Sequence, residues 1–232
     1  MTVELVTAAL LVAVPVAFNV AFFALGRAFD YPAILRREPD EILRRFAAGG
    51  PGLLLRWQAL LWSALAMLPL VALLAVVVGG PPALSVVTVV IGAAASLVQA
   101  LGLVRWPFAV PELARRYLGA PEGEAGDAER RSVTVVFSTL HRLLGVGIGE
   151  HLGYLLTGLW TILASLSILS TTVFPSPIAV AGLVIGLALL VGTLEFVGPN
   201  EPEGWPLAGT IVPIAYIAWS LWLVALGVLL LL

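Results

Sequence analysis

Long apolar runs alternate with short polar or breaker-rich stretches along this chain, and the pattern predicts membrane-spanning helices. A bilayer core about 30 Å thick requires roughly 20 apolar residues at about 1.5 Å per residue, and several of the runs reach that length without a charge. Clusters such as GGPPA, FPSPI and GPNEPEGWP separate the runs. The predicted spans are residues 5–26, 57–79, 83–104, 149–170, 177–197 and 209–231. A re-entrant segment is the alternative for the fifth of them.

The predicted fold class is all-α integral membrane, a six-transmembrane-helix bundle in a single polytopic domain over residues 1–232. A β-barrel would show alternating segments of about ten residues, whereas these runs are continuous. Composition points the same way, since 60% of the residues are hydrophobic and 11% are charged, against about 25% charged in soluble domains. The first ten residues lack a basic n-region, so we expect the first run to remain as a helix.

The positive charges predict the orientation of the chain. All 12 residues counted as Lys or Arg are arginine, and they fall in two connectors, between spans 1 and 2 and between spans 3 and 4. They are Arg27, Arg36, Arg37, Arg44, Arg45 and Arg56, and Arg105, Arg115, Arg116, Arg130, Arg131 and Arg142. Because basic loops stay cytoplasmic, we expect both termini outside, in a bacterial cytoplasmic (inner) membrane. The loop at 198–208 carries Glu201 and Glu203 without arginine, and acidic residues weigh little in this rule.

Two of the cytoplasmic segments have an amphipathic helical pattern. In PDEILRRF (39–46) the acids come early and the arginines late, which suits the helix dipole, and the apolar residues share one side. The stretch 127–144 carries a similar apolar stripe. We expect both segments to lie along the membrane surface. A protein partner would then bind through residues 30–48 and 111–144, whereas the net charge of −2 argues against nucleic acid.

Polar side chains concentrate at the cytoplasmic level of the predicted spans. A polar group inside a membrane is costly unless it is paired, so a shared depth favours a polar pocket open to the cytoplasm. The candidate pocket residues are Asn19, Arg56, Gln58, Gln99, Arg105, Glu150, His151 and Glu195. The alternative is that such residues only mark where helices leave the membrane. We expect Glu150 to pair with Arg105 or Arg56, while His151 points about 100° away.

Small and hydroxyl-bearing residues form faces on the third and fourth spans. Small residues at every fourth position let helix backbones approach closely, and hydroxyls then bond across the gap. The helix-packing candidates are Gly92, Ser96, Gly145, Gly149, Gly153 and Thr157. We therefore expect spans 3 and 4 to pack on these faces. Glu150 and Tyr154 share the hydroxyl face with Thr157, and the alternative role of that face is a proton or solute path.

The sequence is short of the residues that catalysis and metal binding require. It has no cysteine and no lysine, which excludes disulfides, thiolate ligands and Schiff-base chemistry. His141 and His151 are ten residues apart and cannot clamp one haem. Neither H-E-x-x-H nor G-x-S-x-G occurs. We therefore assign no catalytic residue, no metal and no cofactor. Prolines at 15, 69 and 213 should bend their helices.

The stretches FDYPAILRREPDEILRRFAAGG (29–50), LVRWPFAVPELA and GIGEHLGYLLTGLW resemble those of a family of bacterial inner-membrane proteins of about this length. In that family a Tyr-Pro-x-Ile-Leu-Arg segment likewise follows the first helix. The resemblance covers most of the chain. It implies an inner-membrane protein from a bacterium of high genomic GC content, and it brings neither an activity nor functional residues.

Three functions remain open from the sequence. The favoured one is a non-enzymatic protein that binds a partner or senses the membrane and carries a cytoplasm-facing polar pocket. A small proton-coupled transporter or permease would use Glu150, Glu195 and Gln99. A membrane enzyme on a lipid-borne substrate would depend on Glu150 and His151 as its acid–base pair.

Overall fold

The computed structural model describes residues 2–200 and 203–232, which are helical apart from short connectors. The α-helices are α1 (Val3–Phe29), α2 (Pro39–Leu65), α3 (Met67–Val78), α4 (Pro82–Gly119), α5 (Glu124–Leu140), α6 (Gly153–Leu169), α7 (Ser176–Gly192) and α8 (Pro206–Leu229). A π-helix, His141–Leu152, joins α5 to α6, and short 3-10 helices form at Ala33–Arg36 and Gly198–Asn200. The described residues contain no strand, as the all-α class requires. Glu201, in the predicted loop 198–208, lies outside the described residues.

Five stretches of the described chain are long and apolar enough to cross a membrane. They are α1, the α2–α3 pair (Pro39–Val78), α4, the α5–α6 run (Glu124–Leu169) and α8. The apolar helix α7 has 17 residues, which gives about 26 Å at about 1.5 Å per residue, against a hydrocarbon core of about 30 Å. The chain is thus a helical membrane protein, and the count of six spans stays a prediction.

The helices run well past the predicted span ends. The third span was predicted to end at residue 104, but α4 continues to Gly119 over 38 residues, about 57 Å. The fourth span was predicted to begin at 149, but the helical run into it starts at Glu124. Arginine, alanine, leucine and glutamate all have high helix propensity, so the appearance of charge at these points does not end the helix.

Backbone breaks occur where glycine and proline require them. Gly50 has φ 55° and ψ −158°, a left-handed conformation suited to glycine, and it separates the amphipathic start of α2 from its apolar half. The chain breaks again between Leu65 and Met67, one turn before Pro69, as expected when proline removes a donor and crowds the preceding turn. Pro15 and Pro213 lie within α1 and α8, which continue through them.

Apolar side chains from both amphipathic segments are buried inside the chain. Ile42, Leu43 and Phe46 pack in one cluster with Val133 and Phe137. The same cluster holds two aromatic rings from the long helices, Trp57 and Trp106, stacked 4.3 Å apart at 7°. For residues 39–46 the expectation that the apolar face rests on the membrane surface is therefore wrong, because the protein's own aromatic side chains cover it. In 127–144 the same cluster covers Val133 and Phe137, whereas Val136 is 47% exposed. A second cluster, around Trp160, Trp219 and Trp222, fills the opposite part of the bundle.

The glycine ladder of the fourth span faces α4. Gly149 meets Gly102 of α4 backbone to backbone, and Gly153 lies against the Gln99 side chain. Gly145 lies against the guanidinium of Arg105. Close approach of these helices therefore uses Gly102, which the sequence analysis did not single out.

The remaining packing candidates have other neighbours. Gly92 is covered by the indole of Trp160 on α6. The Ser96 hydroxyl donates to the Ala64 carbonyl of α2 at 2.7 Å, rather than to the fourth span. Thr157 is buried and belongs to the hydroxyl face. Thr161, one turn later on the same face, accepts a hydrogen bond from Trp219 of α8. The hydroxyl face therefore turns toward α8, whereas the glycine ladder contacts α4.

We expect Gly102→Ala to destabilise the protein by about 1–3 kcal/mol, the usual cost of overpacking. The added Cβ would lie 2.6 Å from the Cα atom of Gly149. Thermal unfolding in detergent measures the effect. Gly119→Ala is the matched control, because a Cβ at that end of α4 meets no atom within 4 Å. Equal losses in the two variants would contradict a tight contact between α4 and the π-helix.

Candidate functional site

A cavity of about 460 Å³ lies among α1, α2, α4, the π-helix, α6 and α8. One end is bordered by the segment between α1 and α2, residues 30–38, called the linker from here on. Its volume falls within the range of about 300–1,000 Å³ typical of small-molecule sites. The wall is mixed: apolar rings and aliphatic side chains line the middle, and charged groups gather at the linker end.

The linker is held in place by its own apolar residues. Ile34 is fully buried and Leu35 is 7% exposed, and both join the cluster around Trp57 and Trp106. The Tyr31 ring packs edge-on against Trp57, with centroids 5.1 Å apart. Residues Ala33–Arg36 form a 3-10 helix, and the last side chain of this helix, Arg36, is directed back to the cavity.

Arg36 and Glu150 form the central ion pair of the cavity. One guanidinium nitrogen of Arg36 donates to both carboxylate oxygens of Glu150, at 3.1 and 2.9 Å. The Arg36 guanidinium also stacks over the Phe196 ring, 4.2 Å from its centroid. Glu150 is therefore paired with an arginine, as expected, but the expected partners Arg105 and Arg56 were wrong. The physical reason is the fold of the linker, which carries Arg36 across to the π-helix.

Arg105 is a second cation at the same end, and it is only 5% exposed. Its guanidinium donates to the Gly102 carbonyl one turn earlier and lies 5.1 Å from the Trp106 ring centroid. Within the described chain, its Nε atom has no hydrogen-bond partner. Glu150 is the carboxylate that acts on it electrostatically, and that carboxylate is already bound to Arg36. Glu195 is the second carboxylate on the cavity wall, and it is Arg36 that acts on it electrostatically.

Neutral polar groups continue along the cavity wall. Gln99 donates to the Tyr216 hydroxyl at 2.9 Å, and Asn19 donates to Ser220 at 2.9 Å. Tyr154 lines the same wall, one turn beyond Glu150. On the linker, burial and then the nearby Glu150 carboxylate raise the pKa of the Tyr31 phenol to about 12. Tyr31 is therefore a neutral hydroxyl at physiological pH.

The structure brings five of the eight pocket candidates to this cavity and leaves three outside. The five are Asn19, Gln99, Arg105, Glu150 and Glu195, and the three are His151, Arg56 and Gln58. The Nδ1 atom of His151 lies 2.7 Å from the Thr193 carbonyl at the end of α7, so this ring binds a neighbouring helix. Arg56 is exposed and Gln58 half-buried, on faces of α2 that do not border the cavity.

Four lining residues with a charged or hydroxyl side chain were missing from the predicted pocket: Arg36, Tyr31, Tyr154 and Tyr216. Arg36 and Tyr31 belong to the Tyr-Pro-x-Ile-Leu-Arg segment, which was assigned to a cytoplasmic connector. Its buried Ile and Leu, next to the charged arginine, were the available signal that the segment folds inward. Tyr154 shares the Glu150 face of the fourth span, but that face was assigned to packing. Tyr216 lies one turn after Pro213, and nothing in its local pattern marks it.

The described residues include no group of three or more His, Cys, Asp or Glu side chains that could hold a metal ion. The cavity is instead suited to an organic molecule, because it joins apolar surface to a few convergent hydrogen-bonding groups.

These features define the class of the protein: a helical membrane protein with an amphiphilic cavity between its helices. The chain belongs to the family described as Domain of unknown function (DUF4386), whose model matches residues 6–227. This agrees with the family resemblance seen in the sequence. No curated protein and no solved structure matches the chain.

We expect Glu150→Gln to lower the free energy of unfolding by about 1–2 kcal/mol. Charge-assisted hydrogen bonds contribute about 1.5–3 kcal/mol, and partial solvation of Arg36 reduces this. The measurement is thermal unfolding in detergent. Glu41→Gln, which breaks an exposed pair with Arg37, is the control and should change stability by less than about 1 kcal/mol. In the Arg36→Gln background, Glu150→Gln should lower the free energy of unfolding by little more. If the losses from the two single variants instead add fully in the double variant, the pairing is refuted.

Proposed function

We propose that this chain is a non-enzymatic bacterial inner-membrane protein that binds a small ligand in the cavity and signals its presence to the cytoplasmic segments. The observation that carries the proposal is the Arg36–Glu150 pair. It links the linker to the π-helix across a cavity of ligand size. A ligand that engages either charge changes how firmly the linker is held, and differential binding of this kind is what shifts a conformational equilibrium.

The proposed orientation places both termini outside and the linker in the cytoplasm. Its support is the confinement of the arginines to two connectors. Gly80 lies beside Ser167 and Ser170, so the two uncharged connectors at 80–82 and 171–176 meet at one end of the bundle. In this orientation the Arg36–Glu150 end of the cavity faces the cytosol.

Cysteine labelling tests the orientation directly, because the chain has no native cysteine. We expect an impermeant maleimide added from the periplasmic side to label Thr172→Cys and to spare Glu38→Cys. Both positions are exposed in their connectors. In inverted membrane vesicles the pattern should reverse. Labelling of Glu38→Cys from the periplasm would overturn the cytoplasmic placement of the linker and of the cavity mouth.

A protein partner, if it binds through residues 30–48 and 111–144, would meet their polar faces. Many apolar side chains of these segments are already covered within the chain, although Val135 and Leu143 are exposed. Exposed charged residues remain for contact, among them Arg37 and Arg45 on one segment and Arg115 on the other. Each of these arginines is paired with an acidic neighbour in the chain, so the two segments offer charges of both signs to a partner.

A second candidate function is proton-coupled transport through the same cavity. It is favoured by one observation: Glu150, Glu195 and Gln99 all line the cavity wall. In the part of the chain that the structure describes, no donor binds the Glu195 carboxylate. The enzyme alternative lacks such support, because His151 does not border the cavity with Glu150.

Native mass spectrometry of protein extracted with its membrane lipids tests ligand binding. We expect one retained small molecule per chain, reduced at least fivefold by Ile217→Trp, because residue 217 lines the cavity. Ile214→Trp is the matched control: it is 63% exposed on the same helix, against 58% for Ile217, and does not line the cavity. Equal retention in both variants would contradict the proposal. Glu195-dependent proton flux in proteoliposomes would favour transport instead.

A further inference from the structure

The cavity opens sideways along α8. Gly209, Pro213 and Ile217 all line it, and all three are exposed on the outside of the bundle. Residues four apart lie on one helix face, so these three form a continuous edge about two turns long. The opening therefore extends along the helix axis as a slot.

The other edge of the slot is formed by α1. Phe18 and Phe22, again one turn apart, line the cavity on this side. Nearer the chain termini, α1 and α8 close together, where Gly227 meets Ala8. Both helices are apolar and long enough to span a membrane. The slot between them consequently faces hydrocarbon, and a molecule dissolved in the bilayer can reach the cavity through it.

The inner end of the cavity carries a buried cation, Arg105, without an ion-pair partner of its own in the described chain. Arg36 binds the Glu150 carboxylate and also acts electrostatically on Glu195, the second carboxylate of the wall. Within the described chain Arg105 forms no salt bridge with either of them. Arg105 is buried, and its Nε proton has no partner in the described chain. Arginine stays charged in proteins. A buried charge is stable when a counter-charge accompanies it. The neutral Tyr31 hydroxyl lines the same end and supplies a donor beside the two guanidinium groups.

We propose that the ligand is a single-chain membrane lipid with an anionic head, a carboxylate or a phosphate. The head binds at Arg105 and Tyr31, and the chain runs between α1 and α8 toward the slot. The cavity volume of about 460 Å³ accommodates one acyl chain and its head but not a two-chain phospholipid. This assignment rests on the proposed function, since it names the class of molecule that the cavity binds.

The test uses the full chain in nanodiscs of zwitterionic phosphatidylcholine, with dibrominated stearic acid as the probe. Bromine quenches nearby indoles, and Trp106 lines the cavity. We expect saturable quenching by the acid and at least tenfold weaker quenching by its methyl ester, which keeps the chain and loses the charge. This comparison needs no variant, so it stands whether or not cavity variants fold.

Variants then locate the head. Arg105→Gln should weaken binding of the acid at least tenfold, and Tyr31→Phe, which retains the ring packed on Trp57, about threefold. Arg56→Gln removes an exposed arginine outside the cavity and should leave binding unchanged. If Arg56→Gln weakens binding as much as Arg105→Gln does, the assigned head site is wrong.

The outcomes separate this inference from the proposed function. If acid and ester quench the unsubstituted chain equally, and Ile217→Trp removes both from native mass spectra, the cavity binds chains but the anionic head is refuted. If millimolar inorganic phosphate displaces the acid, the site takes a soluble anion and the lipid assignment is overturned. If neither probe binds and nothing is retained in native mass spectra, the proposed function itself fails.

Discussion

A charge inside an apolar helix bundle is stable only with a partner, and in this protein that constraint is met by a connector folding back on the helices. Glu150 lies on the π-helix with a side chain 15% exposed. Its hydrogen bonds come from Arg36, which is 114 residues away in the chain. An uncompensated buried carboxylate would be costly. The pair therefore ties together two parts of the chain that local structure alone would leave independent.

Aromatic packing fixes the position of the linker, which carries Arg36 to Glu150. Trp57 and Trp106 stack against each other, and Phe29, Phe46 and Tyr31 meet them edge-on or in parallel. Such pairs contribute about 0.5–1.5 kcal/mol beyond area burial. The cluster covers the amphipathic segments and positions the linker, so the charged end of the cavity rests on a rigid apolar base. The residues that shape this end of the cavity are thus also residues of the buried core.

The sequence predicted the helical membrane class because uninterrupted apolar runs have few other solutions. It also placed Glu150, Arg105 and Gln99 at one depth, since depth follows from position along a span. Partners across the bundle could not be predicted in this way. Arg36 reaches Glu150 only through the folded linker, and Arg56 and Gln58 are turned aside by the rotation of α2. Rotation and long-range pairing depend on packing between helices, which periodicity within one helix does not encode.

The π-helix between α5 and α6 has a consequence for how this protein tolerates changes in chain length. Its hydrogen bonds reach five residues back, so each revolution of His141–Leu152 uses more residues than an α-helix would. The segment therefore sets how α5 is rotated relative to α6. The first helix packs in the cluster around Trp57 and Trp106, and the second carries Trp160 of the other cluster. A single inserted or deleted residue here would act as a rotation of one half of the bundle against the other, whereas the same change in an exposed loop would be absorbed. Chain length across these twelve residues is thus a geometric parameter of the protein, as much as the identity of any side chain in it.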